Sequence, residues 1–133
     1  MSILYFIAAI LAGIMSVGHS YFGHAMFFKG VKHPPSMFGD EDVSWRFVHG
    51  GWHFLAVPLF MSCLALIGLG LGYFAQPLIV AKIVFWYYAG KSAILLYYQI
   101  PRPIMFVKAP LWIGIIGIPI LILIATGGAV ITS

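Results

Sequence analysis

Apolar residues along this chain fall into four long runs, separated by polar or proline-bearing breaks. About 20 consecutive apolar residues cross the hydrocarbon core of a bilayer. The first run extends from Ile3 to Phe22, and its helical pattern continues to Phe28. The second, Trp45 to Tyr73, contains Pro58, which predicts a tilted or kinked helix. Ala75-Gln76-Pro77 makes a very short turn, with Pro77 suited to the first helical position of the third run, Leu78 to Gln99. Pro101-Arg102-Pro103 ends that helix. The fourth run, Lys108 to Ile131, carries Pro110 in its first turn and Pro119 inside.

Only the first connection is long. Lys29 to Val43 contains Pro34-Pro35, Gly39 and the acidic run Asp40-Glu41-Asp42, and Asp42 or Ser44 is the expected N-cap of the second helix. The short connections favour sequential antiparallel neighbours. The expected fold is therefore all-α: one domain over residues 1–133, with four transmembrane helices at approximately 3–28, 45–73, 78–99 and 108–131 in an up-down antiparallel bundle.

Composition removes the water-soluble alternative. Hydrophobic residues are 62% of the chain and charged residues 8%, against roughly 25% charged in soluble domains. So short a chain has no means of hiding that much apolar surface from water, and lipid is its expected environment. The first run lacks a basic segment before it and a small-residue cleavage site after it, so it reads as a helix and not a signal peptide. Cys63, the single cysteine, forms no internal disulfide.

The net charge of +4 comes from scattered residues, not a dense patch, so it indicates topology and not nucleic acid. Lys29, Lys32, Arg46, Arg102 and Lys108 all flank one side of the predicted membrane layer. The positive-inside rule makes that side cytoplasmic and puts both termini on the non-cytoplasmic side.

Polar side chains gather near the same side. At about 1.5 Å rise per residue, with Trp45 marking the interface, His49 lies roughly 6 Å and His53 roughly 12 Å inside. Counting from Phe28 and Gln99 respectively, His19 lies roughly 14 Å and Lys91 roughly 12 Å inside. His19, His53 and Lys91 thus reach similar depth from three helices. His49 and His53 share a helix face, whereas His19 and His24 do not. Tyr87, Tyr88, Lys91 and Tyr98 make a polar stripe on the third helix. Gly50-Gly51, between the two histidines, predicts close approach of another group to the backbone.

The acidic residues Asp40, Glu41 and Asp42 all sit in one loop, outside every span. This excludes a di-iron carboxylate bundle and a relay through buried carboxylates. Gly-Gly-Trp between His49 and His53 excludes the zinc-protease helix motif. An ionisable group at membrane depth costs at least ~2.5 kcal/mol near a helix centre. Without a buried carboxylate in the chain, Lys91 has three outcomes: it snorkels to the interface along Leu95 and Tyr98, loses its proton on burial, or points inward to meet an anion from outside the chain, which is the favoured one.

Three readings follow. In the first, an intramembrane site binds a cofactor for electron transfer. Its binding residues are His19, His53, Lys91, Tyr87 and Tyr88, and haem b between His19 and His53 is its concrete form. Its metal variant places copper or zinc on His19, His49 and His53. The architecture resembles that of membrane cytochrome b subunits. In the second, the chain is an accessory subunit packed against other membrane subunits or further copies of itself. In the third, it is an oligomeric transporter of a small anion or molecule, attracted by Lys82 and Lys91. The lipid bilayer is a partner in all three.

Overall fold

A computed structural model describes residues 2–22, 25, 40–99 and 112–132. The continuation of the first helix to Phe28, most of the first loop with His24 and His33, the Pro101-Arg102-Pro103 break and the start of the fourth run at Lys108 lie outside the described residues. All regular structure among the described residues is helical, and no strand occurs among them. The helices are α1 (Ile3–Phe22), α2 (Glu41–Phe54), α3 (Ala56–Leu71), α4 (Pro77–Gln99), α5 (Trp112–Ala125) and α6 (Ala129–Thr132).

Local chemistry sets these ends. Asp40 is the N-cap of α2, accepting from the Val43 amide at 3.0 Å. The expected caps, Asp42 and Ser44, lie inside the helix instead. The Ser44 hydroxyl donates back to the Asp40 carbonyl at 2.8 Å, and Asp42 pairs with Arg46 one turn on at 2.7 Å. Asp40 wins because its short side chain, on an extended backbone, reaches the third amide of the helix. Asp40→Ala should cost about 1 kcal/mol, read as faster amide exchange at Asp42 to Ser44.

The second run is disturbed beside Pro58, as expected. It is interrupted at Leu55, which separates α2 from α3. Pro58 is the cause: it has no N–H for the Phe54 carbonyl, and its ring crowds that carbonyl. The run also stops at Leu71, short of Tyr73. Gly72 takes the left-handed conformation (φ 75°), and the Tyr73 amide closes onto the Gly68 carbonyl at 2.9 Å. Pro77 opens α4 as its position predicts. The fourth run breaks at Thr126 to Gly128, where Gly127 (φ 58°) and Gly128 (φ 86°) reject helical dihedrals, so the expected continuous helix to Ile131 ends at Ala125.

α1 packs on α3 and on α5; α4 packs on α5 and on α3. The α1 face toward this core is made of Ala8, Ala9, Ala12 and Met15, small enough for close approach. Leu59, Leu66 and Leu69 of α3, Ala81, Val84 and Tyr88 of α4, and Ile118 and Ile122 of α5 fill the rest. Gly70 sits so close to Phe6 that a Cβ there would lie 2.7 Å from the ring.

The opposite faces are apolar as well. Ile3, Ile7, Ile10, Ile14 and Val17 form an exposed stripe along α1, and Ile79, Ile83, Trp86, Ile94 and Tyr97 another along α4. Water would penalise stripes of this extent, whereas lipid does not. Three stretches are long and apolar enough to cross a membrane: Ile3–Tyr21, Asp42–Leu71 and Pro77–Tyr97. The described part of the fourth, Ile113–Ala125, is apolar but shorter.

Candidate intramembrane site

His19 stands on the last turn of α1 and Trp52 on α2, and the two residues clasp each other. The Trp52 indole N–H donates to the His19 carbonyl at 2.8 Å, and His19 Nε2 lies 3.2 Å from the Trp52 carbonyl. Their rings stack with centroids 4.4 Å apart and planes within 4°. A carbonyl only accepts, so Nε2 carries a proton, and the neutral form of the ring then has its lone pair on Nδ1. One turn earlier on α1, the buried Ser16 hydroxyl donates to the Ala56 carbonyl at 3.1 Å. α1 therefore holds both sides of the break at Leu55. Side-chain bonds of this kind satisfy backbone groups where lipid offers none.

Lys91 rises from α4. Its ammonium lies 4.5 Å above the centroid of the Tyr87 ring, a cation–π contact. Arg46 with Asp42, on exposed α2, is the ion pair present among the described residues, and no described carboxylate pairs with Lys91. The Tyr87 and Tyr88 hydroxyls are buried and have no hydrogen-bond partner there. Tyr88 belongs to the core.

His19 and Lys91 line one cavity of about 340 Å³, with Met15, Leu59, Ile94, Leu95 and Ile115 as its apolar wall. It lies between α1, α3, α4 and α5. Ile94 is 62% exposed, so one side of the cavity reaches the lipid-facing flank of the bundle.

Equal depth along the sequence brings His19 and Lys91 together and leaves His53 out of the lining. His53 faces His49 instead, their rings edge-on with centroids 4.7 Å apart, and His49 also meets Trp45 at 5.7 Å. Among the described residues no group of three or more histidine, cysteine or acidic side chains is placed to hold a metal ion. The Gly50-Gly51 pair does not serve close approach: both are exposed, and a Cβ on either meets no described atom within 4 Å. Trp52 is the residue that sequence reasoning misses. It reads as an interfacial aromatic, and its bonds to a distant backbone leave no period in the sequence.

Comparisons with protein-family models, with characterised proteins and with solved structures return no match.

Proposed function

We propose that this chain is a four-span membrane protein, arranged up-down with both termini on the non-cytoplasmic side, that binds a small lipid-soluble cofactor in the cavity between α1, α3, α4 and α5. The observation that carries the reading is the meeting of Lys91 and His19 in one apolar cavity. An ammonium without a described carboxylate partner supplies a strong donor for an acceptor or acidic oxygen. The imidazole, its tautomer fixed by the Trp52 carbonyl, supplies a lone pair for a hydroxyl or a metal. The apolar wall supplies bulk contact and excludes water.

Haem b would use both groups, with iron on His19 Nδ1 and a propionate on Lys91. The cavity favours something smaller. Its ~340 Å³ is roughly twice the ~150 Å³ that accommodates benzene, which suits one or two rings better than a macrocycle of four. Copper or zinc on His19, His49 and His53 would need the two α2 histidines to leave each other's faces and turn to α1.

The test is extraction and mass spectrometry of the protein purified in mild detergent, with its visible spectrum. Wild-type protein should retain a stoichiometric small molecule. Lys91→Met preserves length and should lose most of it, because hydrogen bonds to a charged group outweigh neutral ones. Equal ligand content in the folded Lys91→Met protein would refute the site. Protein free of any ligand or metal that still supports a native complex would favour the accessory-subunit reading.

A further inference from the structure

We propose that the ligand is a quinone–quinol head group, entering from the bilayer past Ile94 with its tail left in lipid. This rests on the binding reading above and names its chemical class. Three features of the cavity select that class together.

The first is a donor and an acceptor in one apolar space. Lys91 only donates, and His19 Nδ1 only accepts while Nε2–H is held by the Trp52 carbonyl. A ring with an oxygen at each end satisfies both: a carbonyl or hydroxyl oxygen accepts from Lys91, and the opposite hydroxyl of the quinol donates to His19. A fatty acid satisfies Lys91 and leaves the imidazole lone pair unused. A sterol carries one hydroxyl at one end of four fused rings, too large a body for the same cavity. The second feature is size. About 340 Å³ holds a one- or two-ring head, on the scale on which ~150 Å³ holds benzene. The third is access. Ile94 and Leu95 line the cavity, and Ile94 is also part of the exposed apolar stripe of α4, so the wall of the site is continuous with the lipid-facing surface. An isoprenoid tail follows that surface without crossing a polar layer.

Trp52 provides the readout. It stacks on His19 at 4.4 Å, so a quinone in the cavity should quench its fluorescence. A decyl-tailed benzoquinone is titrated into wild-type protein in lipid nanodiscs, and palmitate is titrated separately as a competitor. Quenching should saturate, and Lys91→Met should weaken binding about tenfold or more. His19→Gln retains an amide donor for the Trp52 carbonyl. It should weaken the reduced quinol more than the oxidised quinone. Gly50→Ala, remote from the cavity, should bind as wild type does, and circular dichroism of each variant checks folding. Quenching that rises linearly without saturation, or is unchanged in folded Lys91→Met, overturns the quinone assignment. Saturable palmitate binding with no saturable quinone binding overturns it too, while leaving the binding site standing. Neither ligand binding, and none carried through purification, overturns both.

Discussion

Trp52→Ala should be among the most damaging single substitutions in the chain. Truncating a packed tryptophan costs about 3–5 kcal/mol, and the partial exposure of Trp52 puts the expected loss near the lower end. The loss has three parts: the stack on His19, the indole bond to the His19 carbonyl, and the apolar contact of the ring. In lipid, the freed carbonyl has no water to turn to. The effect should be cooperative. His19→Ala removes the same stack from the other side, so the double variant should be less destabilised than the sum of the two singles, by about 0.5–3 kcal/mol. Unfolding in mixed micelles, followed by circular dichroism, measures all four corners of the cycle. Additive losses would mean that the two residues act independently and that the clasp has no energetic meaning.

Gly70→Leu should separate α1 from α3. Even a bare Cβ would lie 2.7 Å from the outer edge of the Phe6 ring, so the ring must swing aside before the rest of the leucine finds room. Overpacking of this kind costs about 1–3 kcal/mol, with leucine toward the upper end. Gly50→Ala is the opposite case. Its Cβ meets nothing described within 4 Å, and glycine inside a helix is worse than alanine by about 0.5–1 kcal/mol. That substitution should leave the stability unchanged or raise it. Thermal unfolding in detergent distinguishes the two, and a neutral Gly70→Leu would contradict the packing of α1 on α3. Gly70→Leu with Phe6→Ala should recover part of the loss, because the second change vacates the space the first one needs.

The helices were legible because their signal is the summed hydropathy of many residues, and Pro77 marked the start of α4 by its missing N–H. Pro58 predicted a disturbance in the second run, but not that the run would separate into α2 and α3 at Leu55. The cap moved from Asp42 to Asp40 because neighbouring carboxylates look alike until one of them faces the Val43 amide. At the site, depth along a helix follows from rise per residue, and His19 and Lys91 line one cavity. Rotation about the helix axis does not follow from depth. His53 turns its ring to His49 and is not part of the cavity lining.

The break at Leu55 gives the second run two rigid pieces with different attachments. Among the described residues, α3 packs along α1, and α2 meets α1 through His19 and Trp52. Pro58 leaves the Phe54 carbonyl without its helical amide, and close to that point the His19 imidazole ties α2 to α1. The nitrogen that makes this tie and the nitrogen available to a ligand belong to the same ring. On the binding proposal above, a molecule that takes Nδ1 would load the same ring that ties the segment from Glu41 to Phe54 to α1.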